Sequence, residues 1–125
     1  MTDETITAIV IDDDLDTVEL FCEYLEIKGI RVIGKGYDGK EAVELYQKLK
    51  PGIIFLDVMM PRYDGFYAAS EIQKIDPDAK IIMVTADLTS ETANRLEKLD
   101  IPIVYKPYEF EDIMKTISKL MQDLP

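Results

Sequence analysis

The sequence contains no histidine and no tryptophan, and its only cysteine is Cys22. The lack of histidine excludes Ser–His and Cys–His catalytic pairs and any zinc site with histidine ligands. Cys22 cannot form an intramolecular disulfide, and its place in a helical pattern predicts a small core or boundary side chain. A chain without disulfides is typical of the cytoplasm, which is the location we expect.

Basic residues are also scarce. Lysine and arginine number 14 against 25 aspartates and glutamates, which gives a net charge of −11. This balance argues against a nucleic-acid surface, which needs clustered lysine and arginine, and suits a partner with a basic face or a cation. No apolar run approaches the roughly 18 residues of a membrane span. The polar start, MTDETIT, predicts no secretory signal.

Apolar runs alternate along the chain with segments of helical periodicity, and Gly or Pro often separates them. A chain of 125 residues without linkers or repeats is expected to form a single domain, 1–125. The predicted strands are Ile6–Ile11, Ile30–Gly34, Ile53–Leu56, Lys80–Val84 and Ile101–Val104. The predicted helices are Leu15–Lys28, Lys40–Lys50, Phe66–Ile75, Thr89–Leu99 and Tyr108–Met121.

Five continuous apolar strands alternating with five helices predict an α/β fold with a doubly wound parallel sheet. In such folds, ligands bind beyond the carboxyl ends of the strands. Polar residues follow four of the predicted strands, and we expect them to meet at one edge of the sheet. They are Asp12 and Asp13 after the first strand, Asp57 after the third, Thr85 after the fourth and Lys106 after the fifth.

Carboxylates at one edge favour a hard cation such as Mg²⁺. A carboxylate is also a nucleophile in aspartyl-phosphate chemistry, which needs a metal, a positive charge and hydrogen-bond donors around the transferred group. Lys106 would supply the positive charge and Thr85 a donor. Each residue alone has an ordinary structural explanation, such as helix capping, but their joint occurrence at the strand ends favours a phosphoryl-transfer site.

A different class of function stays open on the residues alone. Gly34, Gly36 and Gly39 form a G-x-G-x-x-G pattern after a strand and before a helix, and Asp57 follows about 20 residues later. This is the context of a small dinucleotide-binding domain. That reading leaves Asp12, Asp13, Thr85 and Lys106 without a role.

Taken together, five stretches resemble the receiver domain of two-component response regulators: "IVIDDD", "GYDGKEAVEL", "PGIIFLDVMMPRYDGF", "IIMVTA" and "YKPYEFEDI". The resemblance covers essentially the whole chain. It implies a flavodoxin-like fold with strand order 2-1-3-4-5 and a signalling role rather than an enzymatic one. It also implies that Asp57 accepts a phosphoryl group from a phosphohistidine on a sensor histidine kinase or histidine phosphotransfer protein.

The resemblance implies further roles around Asp57. Asp13 and Asp57 would ligate Mg²⁺ together with the backbone carbonyl of Met59, and Asp12 would act through water. Thr85 and Lys106 would bind the phosphoryl oxygens. The bond from Lys106 to its following proline is expected to be cis.

A switch is the last implication of the resemblance. Thr85 would shift toward the phosphoryl group and change a surface of the fourth helix, fifth strand and fifth helix for an output partner. The family often has an aromatic residue where this chain has Ile103, so the manner of switching is open. We hypothesise that Met59 and Asp87 together set the lifetime of the phosphorylated state. Chemotaxis and phosphorelay roles are both open, as is whether the chain is a stand-alone protein or an excised receiver.

Overall fold

The computed structural model describes residues 5–122, so residues 1–4 of the polar start and residues 123–125 of the predicted single domain lie outside the described residues. Five strands alternate with five helices, as predicted. The strands are β1 Thr7–Ile11, β2 Arg31–Gly36, β3 Ile53–Asp57, β4 Ile81–Thr85 and β5 Ile103–Tyr105. The helices are α1 Leu15–Ile27, α2 Gly39–Leu49, α3 Gly65–Ile75, α4 Ser90–Lys98 and α5 Phe110–Gln122.

The strands pair in parallel in the order β2-β1-β3-β4-β5, which confirms the expected topology. Every residue of β3 and β4 is buried, because helices cover both faces of the sheet. One apolar core contains buried side chains of α2, α3 and α4, and the other contains those of α1 and α5. No helix within residues 5–122 has the length and apolarity that crossing a membrane requires.

Four helices begin at a residue whose side chain accepts a hydrogen bond from a backbone N–H in the first turn. These N-caps are Asp14, Asp38, Asp64 and Thr89. Such caps satisfy donors that the helix itself leaves unpaired. Asp14 is one of these caps, so part of the acidic run after β1 is explained by helix capping.

The glycine pattern is explained by packing, and nothing in the described residues supports the dinucleotide-binding interpretation. Gly34 and Gly36 lie inside β2 rather than in a phosphate-binding loop. A Cβ on Gly36 would stand 2.8 Å from Ile11 and 3.1 Å from Leu45. Gly39 begins α2 against the loop before α3, where a Cβ would stand 2.5 Å from the Asp64 carbonyl oxygen. The three glycines are needed for close approach of neighbouring elements.

Candidate functional site

Three carboxylates meet at the carboxyl edge of the sheet. Asp57 is the last residue of β3, and Asp12 follows the adjacent strand β1 directly. Both side chains are buried, with 6% of Asp12 and 7% of Asp57 exposed, whereas Asp13 is exposed. Each of the three offers an oxygen that lies within 4.8 Å of the others. The structure therefore brings together the acids that the sequence placed at this edge.

Lys106 lies directly after β5 and reaches into the same cluster. Its Nζ is 2.9 Å from Asp12 Oδ2 and 3.4 Å from Asp57 Oδ2. Its backbone N–H donates to the Thr85 carbonyl at 2.8 Å, which ties the lysine to the end of β4. The Lys106–Pro107 peptide bond is cis, as expected.

The charges at this edge are unbalanced. Three carboxylates face one ammonium group, which leaves a formal charge of −2 when all are ionised. Burial, followed by the nearby Asp12 carboxylate, raises the pKa of Asp57 to about 6, although Lys106 acts in the opposite direction. Desolvation and Asp12 also raise the pKa of Asp13. Burial alone would lower the pKa of Lys106, but its ion pairs outweigh that effect and raise it.

Backbone hydrogen bonds hold the two buried acids in place. Asp57 Oδ1 accepts from the Met59 N–H at 3.3 Å, and Asp12 Oδ1 accepts from the Asp14 N–H at 3.0 Å. The Asp12 N–H in turn donates to the carbonyl of Gly36 at 3.2 Å. The side chain of Met59 points outward and is 63% exposed. The expected metal-ligand role of its carbonyl stays a prediction.

Thr85 ends β4 and is completely buried. Its hydroxyl oxygen accepts a hydrogen bond from the Asp87 N–H at 3.0 Å, so in this structure the hydroxyl is engaged by the following loop. Ile103 begins β5, is partly buried, and packs against the core that contains α4. Thr85 and Ile103 thus lie on neighbouring strands, but only Thr85 is at the carboxyl end.

Sequence reasoning missed two features near the site. Gly65 begins α3 close to the end of β3, and a Cβ there would stand 2.4 Å from the Asp57 carbonyl oxygen. Its N–H also donates to the Val58 carbonyl at 2.9 Å. The second feature is Thr92, a buried residue of α4 that hydrogen-bonds to Asp87. A glycine in "YDGF" and a threonine in a polar helix carry no sequence signal for these roles.

The donor set fits a divalent cation of the hard type. Carboxylate oxygens are the ligands that Mg²⁺ takes from proteins, usually one or two of them together with water and substrate phosphate. The excess of two negative charges beside Lys106 matches the charge of such an ion. The absence of histidine and the burial of Cys22 among apolar residues exclude histidine and cysteine ligands here.

Comparison with known proteins gives a consistent result. The family model described as response regulator receiver domain matches residues 8–118. A chemotaxis protein CheY of Thermotoga maritima is 31% identical over 115 residues, which cover 90% of this chain and 94% of that protein. A protein-glutamate methylesterase/protein-glutamine glutaminase of Photobacterium profundum is 37% identical, but the match covers only 28% of that longer protein and 89% of this chain.

Solved structures have the same fold. The response regulator domain of Thermotoga maritima CheB matches with a TM-score of 0.86 and 25% identity, covering 98% of this chain and 100% of that one. A CheX–CheY–BeF₃–Mg²⁺ complex from Borrelia burgdorferi matches with a TM-score of 0.88 and 24% identity, covering 93% of this chain and 89% of that one. At that identity, the second likeness concerns the fold alone.

Proposed function

This chain belongs to the receiver domains of response regulators, and from that membership we propose that Asp57 is its phosphoacceptor. The observation that carries the proposal is the geometry around Asp57: a buried carboxylate at a strand end, 3.4 Å from the Lys106 ammonium and beside two further acids. Among the cluster members, Asp57 is the one that terminates a strand with every residue buried. Asp13 is exposed, and Asp12 is already paired with Lys106 at 2.9 Å.

The proposed donor is a phosphohistidine on a sensor histidine kinase or histidine phosphotransfer protein. An Asp57 carboxylate oxygen forms a bond to phosphorus while the bond from phosphorus to the partner's imidazole nitrogen breaks. The electron pair of the broken bond returns to the imidazole, which then takes up a proton. This chain has no histidine of its own, which is consistent with a donor on another protein.

Lys106 and Thr85 are proposed to bind the phosphoryl oxygens. The Lys106 ammonium already contacts Asp57 and would neutralise charge on the transferred group. Thr85 supplies a hydroxyl donor from the neighbouring strand β4. The Lys106 N–H donates to the Thr85 carbonyl at 2.8 Å, which holds the backbones of these two residues side by side at the edge of the sheet.

Mg²⁺ is the proposed cofactor. Asp13, Asp57 and the Met59 carbonyl would hold it, with Asp12 acting through water. When bound, it would supply positive charge to the phosphoryl oxygens and orient them. The three-carboxylate cluster supports this assignment.

Phosphorylation is proposed to alter the surface formed by α4, β5 and α5, which then binds an output protein. The chain acts in this proposal as a signalling receiver whose only chemistry is its own phosphorylation and dephosphorylation. The relatives that match this chain over nearly their whole length include chemotaxis proteins, whereas the match to the methylesterase covers only a part of that longer protein. Chemotaxis is therefore the pathway class to test first.

Intact mass after incubation with acetyl phosphate tests the acceptor assignment. We expect a gain of one phosphoryl group in the wild-type protein with Mg²⁺, and none with a chelator. Asp57→Asn should prevent the gain, whereas Asp16→Asn, which changes an exposed acid of α1, should leave it intact. A phosphoryl adduct on Asp57→Asn would refute the assignment.

The lifetime of the phosphorylated state is proposed to depend on Met59 and Asp87. The exposed Met59 side chain lies two residues after the acceptor and would limit the approach of water. The loss of the adduct with time, followed by mass, should differ from wild type in Met59→Asn or Asp87→Ala. Unchanged rates in both variants would contradict this part of the proposal.

A further inference from the structure

Asp87 lies in the loop between β4 and α4 and forms hydrogen bonds through both its backbone N–H and its side-chain carboxylate. Its N–H donates to Thr85 Oγ1 at 3.0 Å. Its carboxylate accepts from the Thr89 N–H at 2.9 Å and from the Thr92 hydroxyl at 2.6 Å. We propose that Asp87 is a positioning residue that couples Thr85 to α4, so that movement of Thr85 toward a phosphoryl group displaces the start of that helix. This inference rests on the proposed function.

The proposed link between Thr85 and Thr92 resists breaking because both of these residues are buried. Thr85 is completely buried and Thr92 is 5% exposed. A buried hydroxyl that loses its partner is not compensated by water, so breaking the bond is less favourable than moving the bonded groups together. The Asp87 pKa is lowered by the Thr92 hydroxyl and the Thr89 N–H, so the carboxylate stays ionised and a strong acceptor at neutral pH.

Helix α4 is held more firmly at its end than at its start. Its buried side chains are Thr92 and Leu96, and the latter lies in the second half of the helix. The Leu99 carbonyl, at the C-cap, accepts from the Gln73 side chain of α3 at 2.9 Å. The Arg95 guanidinium stacks 3.7 Å from the ring of Phe66. The described contacts therefore form a pivot near the end of α4, about which its first turn can move.

The same contacts explain how switching can proceed with Ile103 in the adjacent strand. An aliphatic side chain cannot report the position of Thr85 by forming a hydrogen bond. Ile103 packs into the core that also contains Leu96, so it supports the pivot end of the helix. The hydrogen-bonded path from Thr85 through Asp87 to Thr92 runs instead to the start of the helix.

Backbone amide NMR with beryllofluoride and Mg²⁺ tests the coupling, since beryllofluoride on a carboxylate mimics a phosphoryl group. In wild type, we expect shifts both at Asp57, Thr85 and Lys106 and in the first turn of α4. Thr92→Val keeps the side-chain volume but removes the hydroxyl. It should keep the first set of shifts and make those of α4 smaller, as expected from a decrease of about five-fold in the equilibrium constant for displacing the start of α4, the equivalent of one net hydrogen bond of about 1 kcal/mol.

Two further variants make the test specific. Thr92→Ser retains the hydroxyl and should restore the α4 response. Thr116→Val removes a threonine hydroxyl from α5, where it bonds to the Asp112 carbonyl, and should leave the α4 response unchanged. Equal α4 shifts in Thr92→Val and wild type would overturn the coupling alone. A lack of shifts at Asp57, Thr85 and Lys106 in wild type would overturn the proposed function and the coupling with it.

Discussion

Replacing Asp57 by asparagine should stabilise the metal-free protein at neutral pH. Burial and the Asp12 carboxylate raise the pKa of Asp57 from 3.8 to about 6, so ionising this residue in the folded state is unfavourable. A difference of about 2 pKa units corresponds to about 3 kcal/mol of unfolding free energy. Asparagine has the shape of the protonated acid and avoids this cost, although it gives up the ion pair with Lys106, which the shifted pKa already reflects.

The pH dependence has a definite sign. The folded state holds the Asp57 proton more tightly than the unfolded chain does, so wild-type stability falls as pH rises from about 4 to about 6. The stabilisation of Asp57→Asn over wild type should therefore be small near pH 4 and reach about 1–3 kcal/mol above pH 6. The upper value corresponds to an unfolded chain in which Asp57 has its ordinary pKa and to a folded state in which the groups around Asp57 do not rearrange.

Urea denaturation in EDTA, followed by circular dichroism, measures this difference. Asp16→Asn removes an exposed charge from the same region and should change the unfolding free energy by less than about 0.5 kcal/mol. Adding Mg²⁺ at about 100 times its dissociation constant should stabilise wild type by about 3 kcal/mol and Asp57→Asn much less. An asparagine variant that is no more stable than wild type in EDTA at neutral pH would refute the reasoning.

Two further substitutions and one test of thiol reactivity have expected outcomes. Gly65→Ala places a Cβ 2.4 Å from the Asp57 carbonyl oxygen, and we expect a loss of about 1–3 kcal/mol in unfolding free energy and slower phosphorylation by acetyl phosphate. Tyr46→Phe removes a partly buried 2.8 Å hydrogen bond from Tyr46 to Asp76, and thermal unfolding should show a loss of about 1–2 kcal/mol, while unchanged stability would contradict the assigned bond. Burial raises the pKa of the Cys22 thiol to about 11, so a disulfide reagent at neutral pH should react only on unfolding, and immediate reaction with the native protein would contradict its burial.

The sequence predicted the fold well where hydrophobic periodicity was strong. All five strands and five helices exist, and β3 was predicted to within one residue. The prediction for β2 ended at Gly34, because glycine is a weak strand former, yet the strand continues to Gly36 against the Leu45 side chain. The prediction for β5 began at Ile101, two residues early, because the apolar run includes Pro102, whose carbonyl pairs with β4 although the residue lies outside the strand.

The candidate site was predictable as a set but not in its internal arrangement. The rule that ligands bind at the carboxyl edge of a parallel sheet brought Asp12, Asp57 and Lys106 together. The choice of Asp12 as the nearer partner of Lys106 depends on tenths of an ångström in the packed structure. The path from Asp87 to Thr92 depends on how the loop before α4 turns, which residue spacing does not specify.

The ion pairs of Lys106 join segments that lie far apart along the chain, since Lys106 is 94 positions after Asp12 and 49 positions after Asp57. A contiguous fragment must include residues 12–106 to contain Asp12, Asp57 and Lys106 together. A nascent chain whose fifth strand has not yet left the ribosome lacks the geometry proposed for phosphoryl transfer. The same holds for a molecule that has been cleaved between Asp12 and Lys106 and whose two parts have separated. Under the proposed function, phosphorylation of Asp57 therefore requires residues 12–106 to be present in one folded unit.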